Sequence, residues 1–193
     1  MVGIASVGDT TVVSNKWMLG TRNSFIIGIS ATLLATALGT VAALGLSRPN
    51  MPFKGTIMAI LISPMIVPLI ITSAGMFFFY SKIGLTHTYL GLILAHTALG
   101  TPFVVITVTA TLTGFDTNLI RASQSLGADT MRTFFKVIMP LILPGVISGA
   151  LFAFITSFDE VVVVMFVGSV EQITIPKQMW AGLRQETSPV ILC

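Results

Sequence analysis

Residues 23–47 read NSFIIGISATLLATALGTVAALGLS, and none of these 25 residues carries a charge. Arg22 precedes the stretch and Arg48 follows it. A helix needs about 20 mostly apolar residues to cross the hydrocarbon core of a bilayer. The stretch therefore predicts a membrane-spanning helix over residues 24–46.

The composition of the whole chain agrees with a membrane protein. Only 9% of the 193 residues are charged and 54% are hydrophobic, whereas a soluble domain has about 25% charged residues. The net charge of +3 is spread thinly, so no basic run is available for nucleic acid. Cys193 is the only cysteine, which excludes a disulfide within the chain. We expect an all-α membrane protein with one transmembrane domain over residues 1–193.

Two further charge-free stretches predict a second span over residues 56–79 and a third over residues 89–112. Pro64 and Pro68 lie in the middle of the second span and predict a kink, because proline removes a backbone donor. Neighbouring helices can satisfy the freed carbonyls, which favours tolerated kinks over a gate.

Residues 116–136 differ from the rest, because five of the seventeen charged residues fall within them. Apolar residues repeat at helical spacing on both sides of Gly127, and Asp129 suits the N-cap of the second helix. The pattern predicts an extramembranous loop over residues 113–139 that contains two short amphipathic helices. The apolar stripe before Gly127 consists of Leu119, Ala122 and Leu126.

A fourth apolar segment predicts a span over residues 141–168, which contains Asp159 and Glu160. A carboxylate at the bilayer centre costs about 2.5–3.5 kcal/mol, so such acids usually face a bundle interior or an aqueous path. One interpretation puts the pair on a cation or substrate path. The other ends the helix at Phe158 and leaves both acids solvated at the interface. Residues 169–193 predict an amphipathic surface segment.

Several site types are absent from the sequence. It contains no Gly-Lys dipeptide for a P-loop and no His-Glu-x-x-His zinc motif. His87 and His96 are unsuited to share a metal, because His87 is not expected to be helical, and we predict neither a metal nor a cofactor. For His96, hydrogen bonding between packed helices is favoured over catalysis. The GxxxG at residues 145–149 predicts a close helix contact. Lys and Arg divide five to five between the two predicted sides, so their bias leaves the orientation open.

The run RASQSLGA at residues 121–128 resembles the EAA signature of inner-membrane permease subunits of binding-protein-dependent ABC importers, the MetI-like family. Residues 91–119 and 145–168, on either side of this run, resemble the spermidine/putrescine branch of the family, as do residues 173–189. The resemblance covers about residues 17–190. The residues that follow the run and match the signature are Phe134, Phe135, Ile138, Pro140 and Pro144.

The resemblance implies a polytopic helix bundle in the bacterial inner membrane whose 113–139 loop is cytoplasmic and docks on a separate ATPase subunit. It also implies a homologous second permease subunit and a periplasmic substrate-binding protein as partners. ATP hydrolysis would occur on the ATPase, so this chain would not be an enzyme. The residues implied to couple to the ATPase are Arg121, Ala122, Ser123 and Gly127. The residues expected along the translocation path are Asp159, Glu160, His96, Pro64 and Pro68.

The chain departs from the family pattern in two places. Arg121 stands where the signature has Glu, which reverses the charge at a docking position. The family has a further helix before residue 23 and another after residue 188, so we expect four of six spans here.

The leading hypothesis is an importer permease for polyamines, whose positive charge suits Asp159 and Glu160. Alternative cargoes within the family are ferric iron, an opine or a phosphonate. The expectation of missing helices keeps a non-transporting remnant open. An intramembrane enzyme using Asp159, Glu160 and His96 is disfavoured, because no catalytic spacing supports it.

Overall fold

The computed structural model of the chain describes residues 7–48, 50–114, 116 and 118–185, with side chains described between residues 15 and 182. Cys193 and the last eight residues of the predicted surface segment lie outside this part. The regular secondary structure of the described residues is entirely helical, with no strand among them. The elements are α1 (Val7–Leu46), α2 (Lys54–Ile66), α3 (Leu69–Ile83), α4 (Tyr89–Thr113), α5 (Asn118–Ser125), α6 (Thr130–Thr133), a π-helical turn (Phe134–Ile138), α7 (Met139–Asp159), α8 (Val162–Val167) and α9 (Ile175–Gln185).

Three described helical stretches are long and apolar enough to cross a membrane: Asn15–Leu46, Tyr89–Thr113 and Thr130–Asp159. The bent pair α2 and α3 makes a fourth if the two helices form one span. The all-α membrane fold with about four spans is therefore confirmed. Mean hydropathy and the charge-free intervals were sufficient to find it, because a bilayer requires long uncharged helices.

The helix boundaries differ from the predicted ones at both ends of the chain. Helix α1 begins at Val7 and not near residue 24, because the polar residues before 24 include no proline to stop the helix. The prediction of a continuous fourth span through residue 168 was wrong. Helix α7 ends at Asp159, and α8 begins two residues later, at Val162.

The predicted kink in the second span is a complete break between α2 and α3. Pro68 cannot donate a hydrogen bond to the carbonyl of Pro64, and it takes the N-cap position of α3 with φ −52° and ψ 130°. Pro64 lies inside the last turn of α2. The hydroxyl of Ser63 donates to the carbonyl of Ile60 at 2.8 Å, the carbonyl that Pro64 leaves without its helical donor.

The chain divides into two compact units. Unit 1 comprises Met1–Ala31, Val67–His96 and Thr156–Cys193, and unit 2 comprises Thr32–Ile66 and Thr97–Ile155. Each unit combines segments that are distant in the sequence, so neither is a contiguous subdomain.

Unit 2 is held by small residues that let helices approach closely. A Cβ on Gly39 would lie 2.6 Å from the Cβ of Val104, and one on Gly149 would lie 2.8 Å from the Cα of Val104. A Cβ on Gly145 would overlap the hydroxyl of Thr111. The GxxxG at residues 145–149 therefore makes the predicted close contact, and its partner is α4 of the same chain. The buried core here consists of Ala35, Ala43, Val104, Val108, Ile142 and Ala153.

Unit 1 is held by a hydrogen-bonded group that we call the polar latch: Asn23, Ser24, His87, Tyr89 and Gln172. The Asn23 amide donates to the carbonyls of Glu171 and Ile173, both at 3.0 Å, and its oxygen accepts from the Tyr89 hydroxyl at 2.9 Å. The Ser24 hydroxyl accepts from the backbone N–H of Ile175 at 2.9 Å. The latch thus fixes the non-helical residues 168–174 to α1 and to the start of α4.

Candidate functional site

The segment that matches the EAA signature folds as a tightly capped helical turn, which we call the coupling segment (residues 118–138). Gly127 has φ +81°, a left-handed conformation that glycine adopts without a Cβ penalty. Its N–H donates to the carbonyl of Gln124 at 2.9 Å, and the N–H of Ala128 donates to the carbonyl of Ser123 at 3.1 Å. This pair of bonds is a Schellman motif, which ends α5 and reverses the chain.

The second helix of the coupling segment is capped as predicted. The Asp129 carboxylate accepts the N–H of Arg132 at 2.8 Å, which confirms Asp129 as the N-cap of α6. The hydroxyls of Ser123 and Thr133 lie 2.9 Å apart and join α5 to α6. Ser123 also donates to the carbonyl of Ile120 at 2.8 Å. The two caps and the contact between Ser123 and Thr133 therefore hold α5 and α6 against each other.

The apolar stripe of α5 faces outward and not into the chain. Leu119, Ala122 and Leu126 are all exposed, and Leu126 is 88% exposed at the end of the helix. Arg121 is also exposed, beside the stripe. An exposed apolar stripe on a helix that also carries an exposed arginine is typical of a surface that another protein covers.

The two adjacent acids have different surroundings. Asp159 is exposed at the last residue of α7, whereas Glu160 is 7% exposed. The Glu160 carboxylate accepts the N–H of Val163 at 2.9 Å in the first turn of α8. The Glu160 carboxylate therefore caps the first turn of α8. Of the two acids, only Asp159 has an exposed side chain. The second sequence interpretation, a helix that ends at Phe158 with both acids solvated, is wrong for Glu160.

His96 is fully packed within unit 1. Its side chain is 1% exposed, and Nδ1 lies 2.7 Å from the hydroxyl of Ser157. Its Nε2 has no hydrogen-bond partner among the described residues. The structure therefore joins His96 to Ser157 and not to a solvent-exposed path, which matches the expectation of a packed polar residue.

His87 adopts an unusual backbone conformation with φ +62°, outside any helix, as the sequence predicted. Its backbone N–H donates to the carbonyl of Val167 at 2.9 Å, and its Nδ1 lies 3.2 Å from the carbonyl oxygen of Gly168. The amide of Gln172 donates to the carbonyl of His87 at 3.1 Å. His87 thus belongs to the polar latch. No group of three or more potential metal ligands occurs within the described residues.

The sequence analysis did not identify Lys177, but its side chain bonds to backbone carbonyls at the C-terminal end of α8. Its ammonium group donates to the carbonyls of Val164 at 3.4 Å and Ser169 at 3.1 Å. A cation at this position complements the negative end of a helix. Burial lowers the pKa of the Lys177 side chain, because the charged form loses part of its hydration.

Sequence reasoning missed the polar latch as a whole. Asn23 appeared only as the residue that opens a charge-free stretch, and its amide bonds carbonyls 148 and 150 residues away. No local spacing signals such a pairing. The one usable signal was the presence of Asn and Tyr at the ends of apolar spans, where polar groups need partners.

The family model of the "Binding-protein-dependent transport system inner membrane component" matches residues 17–193. The chain belongs to this family. The match includes the coupling segment and every described span, so the resemblance seen at residues 121–128 extends across the fold. Membership of this family places the chain in the inner membrane.

Several curated relatives of this chain are named as polyamine transport proteins. The spermidine/putrescine transport system permease protein PotC of Haemophilus influenzae is 31% identical over 169 residues, which are 88% of this chain and 66% of the relative. PotC of Escherichia coli is 28% identical over 170 residues, 88% of this chain and 64% of the relative. The putrescine transport system permease protein PotI of Escherichia coli is 29% identical over 181 residues, 86% of this chain and 63% of the relative. The chain thus spans just under two thirds of each relative.

Solved structures share the fold. A bacterial ABC transporter involved in the import of the acidic polysaccharide alginate has a TM-score of 0.71 at 15% identity, covering 92% of this chain and 62% of that one. An inward-facing MetNI methionine ABC transporter has a TM-score of 0.69 at 20% identity, covering 97% of this chain and 88% of that one. Both are ABC transporters, and at these identities the likeness concerns the fold alone.

Proposed function

We propose that this chain is a transmembrane subunit of an ABC importer and that it couples through residues 118–138 to a separate ATPase subunit. The observation that carries the proposal is the outward apolar stripe of α5, on the very segment that matches the family signature. A homologous second permease subunit and a periplasmic substrate-binding protein complete the proposed importer. The chain itself performs no covalent step in this proposal.

The proposed coupling is mechanical. Caps at Gly127 and Asp129 and the contact between Ser123 and Thr133 make the coupling segment stiff. Closure of the ATPase on bound ATP would displace the segment as a body, and α7 follows it directly through the π-helical turn. Arg121, Ala122, Ser123 and Gly127 are the residues that we assign to this contact.

We propose a polyamine as the cargo. Three relatives named above are spermidine/putrescine or putrescine permeases. Asp159 presents an exposed carboxylate at the end of a candidate span, and a negative group at such a position attracts a polycation. Glu160, His96, Pro64 and Pro68 belong to the proposed path only as supports, because Glu160 and His96 are buried and the two prolines shape the break after α2.

The docking proposal is tested with the ATPase subunit of the same importer, which is to be sought in the DNA that flanks this reading frame. Leu126→Asp places a charge in the apolar stripe and should lower co-purification of the ATPase at least tenfold. Phe53→Asp is the matched control, because Phe53 is also exposed, at 80%, but lies in the connector before α2. Equal loss in both variants, or no loss in either, would contradict docking through α5.

The cargo proposal is tested by uptake of radiolabelled spermidine into cells that express the importer. Asp159→Asn should lower uptake at least tenfold at unchanged protein level and unchanged ATPase co-purification. Glu171→Gln is the matched control, since Glu171 is an exposed acid of the same unit. Unchanged uptake in the Asp159 variant would contradict the proposal that the Asp159 carboxylate attracts the polyamine. Uptake of iron or a phosphonate, but not of spermidine, would contradict the polyamine cargo but would still support an importer.

A further inference from the structure

The net charge of the chain is confined to one of the two units. Unit 1 contains five basic and five acidic residues, so its formal charges cancel. Unit 2 contains five basic and only two acidic residues and therefore carries the whole net charge of +3. The basic residues of unit 2 are Arg48, Lys54, Arg121, Arg132 and Lys136.

Neither acid of unit 2 forms a salt bridge with these cations within the part of the chain that the structure describes. The Asp116 carboxylate accepts the N–H of Asn118 at 2.9 Å, and the Asp129 carboxylate accepts the N–H of Arg132 at 2.8 Å. All five basic side chains are exposed, and none of them forms a salt bridge with any residue that the structure describes. The surplus of exposed positive charge in unit 2 therefore attracts anions.

A cavity of about 390 Å³ opens next to one of these cations. Its lining combines five apolar side chains, from α1, α4, α5 and the π-helical turn, with Arg48 and four polar residues. The apolar part consists of Leu44, Leu112, Ile120, Phe134 and Ile138. The polar part consists of Ser47, Arg48, Gln124, Thr130 and Thr133.

The cavity lies where three candidate membrane-spanning helices begin or end. Its residues come from the end of the span Asn15–Leu46, from the end of Tyr89–Thr113 and from the beginning of Thr130–Asp159. Apolar groups at the ends of spans, followed directly by an arginine, match the boundary between acyl chains and headgroups. A volume of this size falls in the range of small-molecule sites, about 300–1,000 Å³.

We propose that this cavity binds one anionic phospholipid, with its phosphate at Arg48 and the start of an acyl chain against Leu44, Leu112 and Phe134. The guanidinium supplies paired donors for a phosphate oxygen pair. A zwitterionic lipid would bring a second cation into a region that already has a surplus of positive charge. Because Gln124 of α5 and Phe134 of the π-helical turn line the cavity, an occupied cavity would brace the coupling segment.

The experiment uses the full chain, purified in a neutral detergent and stripped of lipid, with no other importer component. Dioleoyl phosphatidylglycerol and dioleoyl phosphatidylcholine are added separately, and bound lipid is counted by native mass spectrometry. We expect at least tenfold better retention of phosphatidylglycerol. Arg48→Gln should lower that retention at least fivefold. Lys54→Gln removes the same charge at the exposed first residue of α2, which does not line the cavity, and should alter retention less than twofold.

Four outcomes would overturn the proposal. Equal retention of the two lipids would show that the cavity does not select for an anionic headgroup. Equal loss of retention in the two variants would show that only general surface charge matters. Competition by glycerol phosphate as strong as by the lipid would make the ligand a soluble anion. Unchanged lipid retention in Arg48→Gln would show that Arg48 does not hold the headgroup. The inference goes beyond the proposed transport function and does not depend on it, because no transport is measured.

Discussion

The two units of this chain are stabilised in different ways. Unit 2 packs glycine and alanine against Val104 and buries few polar side chains. Unit 1 relies on the polar latch, in which Asn23 alone makes three hydrogen bonds to distant groups. Lipid offers no hydrophobic drive between helices, so close packing and interhelical hydrogen bonds are the two means available. Unit 2 relies mainly on close packing and unit 1 on hydrogen bonds, so substitutions in each unit can test the comparison.

The largest expected effect comes from removing the central latch residue of unit 1. Asn23→Leu keeps a buried side chain of similar size but leaves two carbonyls and the Tyr89 hydroxyl without partners. An unsatisfied buried group costs about 1–3 kcal/mol. Because Tyr89 is exposed and its hydroxyl can bond to solvent, we count only the two carbonyls and expect a loss of about 2–6 kcal/mol of unfolding free energy. Thermal and denaturant unfolding in detergent micelles measures it. The control is Asn15→Leu, an exposed position on the same helix, where a loss above about 0.5 kcal/mol is not expected.

The next largest effect tests the packing of unit 2. Gly149→Ala places a methyl group 2.8 Å from the Cα of Val104, and backbone cannot move aside cheaply. Overpacking of this kind costs about 1–3 kcal/mol. Gly75→Ala in α3 is the matched control, because nothing lies within 4 Å of its added Cβ. If the two variants unfold at the same temperature, close packing does not stabilise unit 2.

A smaller effect is expected from the buried pair His96 and Ser157 in unit 1. Hydrogen bonds between membrane helices contribute about 0.6 kcal/mol on average. A double-mutant cycle with His96→Phe and Ser157→Ala should therefore give a coupling energy near that value. A coupling above about 2 kcal/mol would show that this pair, and not the latch, dominates unit 1.

The smallest effect at neutral pH is expected for Lys177→Met. Its two carbonyl bonds stabilise the fold, while burial lowers the Lys177 pKa and so opposes the charged form. The two contributions offset each other, and we expect a change below about 1 kcal/mol. Between the lowered pKa and 10.5 the unfolded chain binds more protons, so wild-type stability should rise with pH relative to the variant. A fall in that range would contradict the lowered pKa.

Local sequence signals predicted the coupling segment well. The sequence predicted Gly127 as the junction of two short helices and Asp129 as the N-cap of the second. In the structure α5 ends in a turn at Gly127, and Asp129 caps α6. Helix ends depend on such short-range chemistry, which lies within a few residues. One of the two sequence interpretations ended the helix at Phe158, one residue before its end at Asp159. The start of a new helix after Glu160 was not predicted, because the capping role of a buried glutamate depends on its surroundings.

The sequence by itself determined the class of protein, the number of spans and the family, because long uncharged helices and the signature at residues 121–128 are visible without coordinates. Tertiary structure alone decided which acid is exposed, which helix receives the GxxxG and where Asn23 finds its partners. These are contacts between residues up to 150 positions apart. No periodicity encodes them, since in a bilayer any polar group can pair with any other that packing brings within reach.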